Sequence, residues 1–220
     1  MNTIPPKRIL ILTADAGFGH RSAANAIAEA LAELHPQDCT VEILNPLDHP
    51  KTPAVLRESQ TDYDRIVRSV PELYKLGYEV SDVPLTSVVM EAALIALLFE
   101  TMMDILKTHQ PDAIVNTYPL YQSVISAVCA IRKCQVPQMT VITDLVTVHR
   151  LWFHPRVEYC LVPTEEVRTL ALENGMPAER VQLTGIPVHP AILSEQRSKA
   201  AIRSELGWSP HLITLLVVGS

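Results

Sequence analysis

The chain has 220 residues, of which 48% are hydrophobic and 19% charged, and its formal net charge is −6. This composition predicts a globular protein with a well-buried core, and it excludes a disordered chain and a basic nucleic-acid-binding surface. None of the four cysteines forms a Cys-x-x-Cys pair, so we expect a reduced, cytosolic protein.

The first elements along the chain are a short apolar run, residues 9–12, and a helical pattern over residues 20–34, joined by a turn with Gly17 and Gly19. The run predicts a buried strand. His20 then lies in the first turn of the helix, where outward-pointing N–H groups carry partial positive charge. Such a place favours an anion such as phosphate and keeps the imidazole neutral, so His20 can accept a proton near pH 7.

Two other interpretations of this turn stay open. Glycines between a strand and a helix also serve close packing, and a histidine there can be a structural cap. A nicotinamide dinucleotide site is not predicted, because its fingerprint needs a third glycine where this chain has Ser22.

Short apolar runs alternate with helical patterns along much of the remaining chain. This alternation predicts an α/β fold with a three-layer, doubly wound parallel sheet, in which ligands bind outside the carboxyl ends of the strands. The predicted strands are 9–12, 40–44, 113–116, 139–143, 158–162 and 181–183; the predicted helices are 20–34, 123–132, 165–173 and a polar stretch near 194–206.

Residues 46–110 interrupt this alternation, because they contain no convincing strand. Their pattern predicts a helical insertion with helices near 53–68, 72–79 and 85–107. The last helix contains eight successive apolar residues, 92–99, far fewer than the ~20 that span a bilayer. It is either a core helix or part of an insertion that dips into the membrane interface and grips a lipid.

A second group of polar and aromatic residues follows the predicted fourth strand. Asp144 ends that strand, and His149, Trp152 and His154 come soon after it. Aspartate and histidine are metal ligands, but no His pair one helical turn apart is present, so substrate binding fits better than a metal site. Trp152 either stacks on a substrate or is a plain core residue, while Asp144 and His149 either hydrogen-bond hydroxyls or orient a base.

The last part of the chain predicts a domain boundary. Residues 184–188 form a rigid turn with glycine and proline. Residues 212–220 are typical of a new buried strand that enters a glycine turn. We therefore expect one domain over residues 1–206 and the first strand of a truncated second domain over residues 207–220.

Three motifs together resemble a known family. They are Gly17-Phe18-Gly19-His20 with Ala23-Ala24; Thr143-Asp144-Leu145 with His149, Trp152, His154, Tyr159 and Val162-Pro163-Thr164-Glu165; and Thr184-Gly185-Ile186-Pro187-Val188. They are similar to the signatures of monogalactosyldiacylglycerol synthases and bacterial processive diacylglycerol glucosyltransferases. This resemblance implies the N-terminal, acceptor-binding domain of a GT-B glycosyltransferase, in which two Rossmann-like domains face a cleft.

The resemblance also implies a role for each matching residue. His20 would be the base that acts on the acceptor hydroxyl. The acceptor side would include Asp144, His149 and Trp152, together with Tyr118 from the loop after the third strand, where related sequences often carry histidine. The residues of the donor diphosphate and cleft would be Gly17, Phe18, Gly19, Gly185, Ile186 and Pro187.

The implied activity is transfer of a hexose from a UDP-sugar to diacylglycerol or a similar membrane lipid, with inversion, in glycolipid biosynthesis. The UDP-sugar is a co-substrate, and no cofactor, metal or nucleic acid is expected. We expect peripheral contact with the inner face of the membrane, and no activity without the C-terminal domain that would hold most of the nucleotide-sugar site. The alternatives are a GT-B enzyme with another acceptor, such as a polyprenyl-linked sugar, or with an epimerase reaction, and a non-catalytic lipid-binding module.

Overall fold

The structure is a computed structural model that describes residues 5–16, 18–58 and 84–217, with the backbone alone at residues 18, 84 and 85. The chain divides into two compact units, one ending at His189 and one beginning at Pro190. This boundary lies before the one expected after residue 206. The assignment of residues 207–220 to a nucleotide-sugar-binding domain stays a prediction.

Six parallel strands form a single sheet in the first unit. They are β1 (Lys7–Leu12), β2 (Cys39–Leu44), β3 (Ala113–Asn116), β4 (Gln138–Val141), β5 (Tyr159–Val162) and β6 (Val181–Leu183). Their order across the sheet is β2-β1-β3-β4-β5-β6. The parallel, doubly wound sheet predicted from the sequence is confirmed.

The order of the strands reverses at β1. Leu12, the last residue of β1, pairs with Leu44 of β2 on one side and with Asn116 of β3 on the other. The chain runs from β1 outward to β2 and then returns past β1 to β3. The carboxyl ends of β1 and β3 therefore form the crevice where doubly wound proteins bind their ligands.

Helices cover both faces of this sheet. The helices whose full length lies among the described residues are, in the first unit, α1 (Phe18–Leu34), α2 (Pro84–His109), α3 (Gln122–Arg132) and α4 (Glu165–Glu173); α5 (Pro190–Leu193) and α6 (Lys199–Glu205) belong to the second unit. Leu10 and Leu12 pack with α2 and α3, whereas Ile11 packs with Ala24 of α1. Because alternate residues of β1 enter opposite cores, the strand is continuously apolar over residues 9–12 rather than alternating.

Helix α2 contains the apolar run of the predicted insertion. Its residues Leu94, Leu98, Met102 and Ile105 recur at helical spacing, are buried, and join the core formed with β1 and α3. The core-helix interpretation is therefore the one observed for this stripe. Within the described ranges, no helix is long and apolar enough to cross a membrane.

The other predicted insertion helices lie mostly outside the described residues. Residues 54–58 are helical, in agreement with the start of the helix predicted over 53–68. The rest of that helix and all of the helix predicted over 72–79 fall outside the described ranges.

The described part of the second unit contains two short helices, followed by residues without regular secondary structure. Ser198 caps α6 by accepting the N–H of Ala201 at 3.1 Å. Residues 213–217 form no strand, and Ile213 is 98% exposed. The strand predicted to begin at residue 212 is thus not observed over the described residues, because a strand requires a hydrogen-bonded neighbour and none pairs with them.

Candidate active site

The candidate site lies at the crevice between the carboxyl ends of β1 and β3. His20 stands in the first turn of α1 and is half-buried. Tyr118 enters from the loop after β3, and its ring meets the His20 ring edge-on, with centroids 5.0 Å apart and planes at 80°. The crevice rule therefore predicted the place of both residues correctly.

The segment that follows β4 supplies the other neighbours of His20. The hydroxyl oxygen of Thr143 lies 2.9 Å from Nδ1 of His20. The ring of Trp152 lies 5.9 Å from the imidazole, centroid to centroid, and is tilted by 42°. The hydroxyl of Thr143 and two aromatic rings thus contact the imidazole.

Burial lowers the pKa of His20 below its usual value, and this effect exceeds two opposing ones. The negative charge of Asp144 and a hydrogen bond with the Thr117 backbone both raise the pKa of His20. The ring is therefore neutral at pH 7 and able to accept a proton. The sequence predicted a neutral ring from the helix N-terminus, whereas desolvation is the main cause found here.

Asp144 and Trp152 form a direct hydrogen bond. Nε1 of Trp152 donates to Oδ2 of Asp144 at 2.7 Å. Trp152 is only 1% exposed and packs in a core with Ile142 and Val157. This burial agrees with the core-residue interpretation, and the acceptor-binding role of Trp152 stays a prediction. Because its ring also lies beside His20, Trp152 forms a fixed wall of the site.

The two histidines after Asp144 stabilise turns. His149 is 8% exposed, and its Nδ1 accepts the N–H of Leu151 at 3.2 Å, which caps a short 3₁₀ helix over Arg150–Trp152. His154 accepts the N–H of Arg156 in the same manner at 3.3 Å. Burial, helped by the nearby charge of Arg156, lowers the pKa of His154 to about 4. The acceptor-binding role of His149 stays a prediction.

An ion pair, which the sequence analysis missed, fixes the turn between β1 and α1. Arg21 donates to both carboxylate oxygens of Asp15, each at 2.8 Å. Asn45, just after β2, donates to Asp15 at 3.1 Å and to Asp48 at 2.8 Å. The Arg21 hydrogen bond is the main cause of the lowered pKa of Asp15. The sequence signal was an aspartate and an arginine on either side of the glycine turn.

Of the glycine turn, Gly19 is described in full, while Gly17 and the side chain of Phe18 lie outside the described residues. A Cβ atom added to Gly19 would meet no atom within 4 Å, and its φ is not positive. Neither packing nor backbone conformation in the described residues therefore requires glycine here. An open face at the start of a helix leaves room for a ligand to approach the backbone.

The predicted cleft residues after β6 border an apolar groove. Gly185 has a φ of +79°, which favours glycine. Gly185, Ile186 and Pro187 line a groove of about 320 Å³ together with apolar residues of the sheet and α1, but not with His20. Their role toward a donor diphosphate stays a prediction.

No cluster of three or more histidine, cysteine, aspartate or glutamate side chains occurs, among the residues that the structure describes, in a position to hold a metal ion. The side chains around His20 instead provide hydroxyl, carboxylate and aromatic groups. This arrangement suits proton transfer and hydrogen bonding to a hydroxyl-bearing ligand.

Fold and site together define a doubly wound α/β domain with a neutral histidine at its ligand-binding crevice. A family model described as "Monogalactosyldiacylglycerol (MGDG) synthase" matches residues 20–188. The chain belongs to the monogalactosyldiacylglycerol synthase family.

Two curated relatives illustrate this membership. The chloroplastic monogalactosyldiacylglycerol synthase of Spinacia oleracea is 32% identical over 216 residues, which are 97% of this chain and 41% of that protein. Monogalactosyldiacylglycerol synthase 1 of Arabidopsis thaliana is 31% identical over 217 residues, 97% of this chain and 40% of that protein. The chain thus spans about two fifths of the length of these relatives.

The solved structures that match this chain share little sequence identity with it. The lipopolysaccharide outer core galactosyltransferase WaaB is 11% identical, with a TM-score of 0.47 over 80% of this chain and 44% of that one. MurG of Acinetobacter baumannii is 15% identical, with a TM-score of 0.45 over 89% of this chain and 47% of that one.

Proposed function

We propose that this chain is the acceptor-binding part of an inverting glycosyltransferase that moves a hexose from a UDP-sugar to diacylglycerol or a similar membrane lipid. The observation that carries the proposal is the neutral, half-buried imidazole of His20 at the crevice, beside Thr143 and Tyr118. Membership in the family supports the lipid acceptor and the sugar donor.

In the proposed reaction, the acceptor hydroxyl attacks the anomeric carbon of the sugar and gives its proton to His20. The new carbon–oxygen bond forms while the bond to the diphosphate breaks, and UDP leaves with the electron pair. General base catalysis of this kind contributes about 10²–10⁴-fold to a rate. The negative charge of Asp144 favours the imidazolium that results.

The start of α1 supports the donor side of this reaction. The first turn of α1 carries no acidic residue that would oppose an anion. Its partial positive charge and the open face at Gly19 suit a diphosphate oxygen. In this scheme the UDP-sugar is a co-substrate, no metal or cofactor takes part, and the rest of the nucleotide-sugar site comes from a domain beyond residue 220.

We further propose that the lipid is reached by peripheral contact with the inner face of the membrane. Val88 and Val89 on α2, and Leu145 and Val146 after β4, are exposed apolar side chains. The last two directly follow Asp144 on the proposed acceptor side, so in this proposal they contact an acyl chain attached to the acceptor. Apolar side chains at a membrane surface bind by burying their area among lipid chains.

The test compares the full-length protein with its His20→Ala variant, using both UDP-hexoses and vesicles that contain diacylglycerol. The variant should lower kcat by at least about tenfold and leave UDP binding nearly unchanged. His35→Ala is the matched control, since His35 is an exposed residue just beyond α1. Unchanged turnover in His20→Ala would remove His20 from the mechanism. Activity only on a polyprenyl-linked or soluble acceptor would redirect the acceptor assignment.

A further inference from the structure

We propose that Thr143 is a positioning residue that selects the reactive nitrogen of His20. Its hydroxyl accepts the Nδ1–H of the neutral ring, which leaves Nε2 as the atom that takes the proton of the acceptor. This inference rests on the proposed function of His20 as the base.

The position of Thr143 is fixed by its neighbours on both sides. Ile142, which precedes it, is fully buried and donates its N–H to the carbonyl of Leu161 on β5 at 2.9 Å. Asp144, which follows it, accepts the indole N–H of Trp152 at 2.7 Å. The backbone at Thr143 therefore has little freedom to move, and its hydroxyl lies 2.9 Å from Nδ1 of His20.

The imidazole is equally restricted. The ring of Tyr118 meets it edge-on at 5.0 Å, and the Trp152 ring lies 5.9 Å away. Rotation that exchanges Nδ1 for Nε2 at the Thr143 hydroxyl would sweep the imidazole past these two aromatic rings. The 2.9 Å contact therefore distinguishes the two ring nitrogens.

A hydroxyl acceptor at Nδ1 suits both states of the base. Before the reaction, Nδ1–H donates to Thr143 and the lone pair of Nε2 faces the acceptor hydroxyl. After Nε2 has taken the proton, the imidazolium still donates Nδ1–H to the same oxygen. No hydroxyl or ring has to turn during the step, so the hydrogen bond persists while the charge develops. Asp144 is the charged group that acts on the ring, and the Thr117 backbone is a second acceptor for a ring N–H.

The first test needs no variant. Histidine labelled with ¹⁵N in the full-length protein reports the tautomer from the shifts of the two ring nitrogens. The proposal expects the Nδ1–H tautomer for neutral His20, although the Nε2–H form is the usual one for exposed histidine. An Nε2–H tautomer, in which Thr143 donates to Nδ1 and the ring donates Nε2–H to the Thr117 backbone, would overturn the proposal.

The second test uses Thr143→Val, which removes the hydroxyl and keeps the shape. Its kcat should fall by roughly 10-fold to 100-fold with the KM for the UDP-sugar unchanged, and the His20 signal should move toward Nε2–H. Thr143→Ser should retain activity and tautomer. The control is Thr140→Val, which removes another buried hydroxyl, one that accepts from Gln122, in β4.

The outcomes separate this inference from the proposed function. If His20→Ala is inactive while Thr143→Val is fully active, Thr143 has no positioning role and only this inference is lost. If His20→Ala is fully active, His20 is not the base, and both the proposed function of His20 and this inference are wrong. If Thr143→Val does not fold, the tautomer of the unaltered protein and the activity of Thr143→Ser still decide.

Discussion

The two segments that form the crevice are held by different kinds of interaction. The turn between β1 and α1, which carries His20, is fastened by an ion pair between Asp15 and Arg21, whose side chains are 48% and 31% exposed. The segment after β4, residues 142–157, is fastened instead by burial around Trp152. Exposed charge pairs contribute little to stability, whereas buried aromatic rings contribute much. The segment after β4 should therefore contribute most to the stability of the site, and the turn between β1 and α1 should mainly determine where His20 lies.

The largest expected effect tests the buried side of this comparison. Trp152→Ala should lower the free energy of unfolding by about 3–5 kcal/mol, because it leaves a cavity and removes the donor to Asp144. Urea unfolding at pH 7 measures this. Trp208→Ala, a change at a part-exposed tryptophan of the second unit, should cost less than about 0.5 kcal/mol. Equal losses in the two variants would contradict the assignment of stability to the segment after β4.

Sequence reasoning found the features that depend on neighbours along the chain. The strand, the glycine turn and His20 are consecutive, so their pattern alone was enough to predict a neutral histidine at the crevice. Burial of Trp152 depends on distant residues such as Val181, and the Thr143–His20 contact joins residues 123 positions apart. The periodicity of residues along the chain does not reveal such contacts. This explains why Trp152 was left between two interpretations and why Thr143, although part of a motif, was given no role beside His20.

The second effect concerns pH and the same buried segment. The pKa of His154 is lowered from 6.5 to about 4 by burial, so the unfolded chain binds a proton at this site more readily than the folded one. Above pH 6.5 the side chain is neutral in both states, and the free energy of unfolding is unaffected by His154. As the pH falls toward 4, the unfolded chain takes up the proton first, and the free energy of unfolding falls by up to about 3 kcal/mol. His154→Gln should flatten the dependence of unfolding free energy on pH in this window, measured by urea unfolding.

The control for this prediction is His35→Gln, since His35 is exposed near the end of α1. That variant should keep the slope of the original protein. A slope that persists unchanged in His154→Gln would show that other groups cause the acid sensitivity.

Two glycine variants compare a position that needs glycine for its backbone conformation with Gly19, which lies in the turn that carries His20. Gly185→Ala places a Cβ at a φ of +79° and should cost about 1–2 kcal/mol. Gly19→Ala meets open space, so the unfolding free energy should stay equal or rise by up to about 1 kcal/mol. If a diphosphate approaches Gly19, the same variant should raise the KM for the UDP-sugar. A lower free energy of unfolding in Gly19→Ala would instead show that this glycine serves the packing of the turn.

The smallest effect tests the exposed ion pair itself. Asp15→Asn and Arg21→Gln should each lower the free energy of unfolding by only about 0.2–1 kcal/mol, and a double-mutant cycle should give a coupling energy of similar size. Because the pKa of Asp15 is lowered, mainly by Arg21, the coupling should be present at neutral pH and vanish as the pH falls below the ordinary range of an aspartate. High salt should weaken it as well. A coupling energy above about 2 kcal/mol at neutral pH would mean that the turn stabilises the fold as strongly as the segment after β4 does, and the contrast between the two sides of the crevice would not hold.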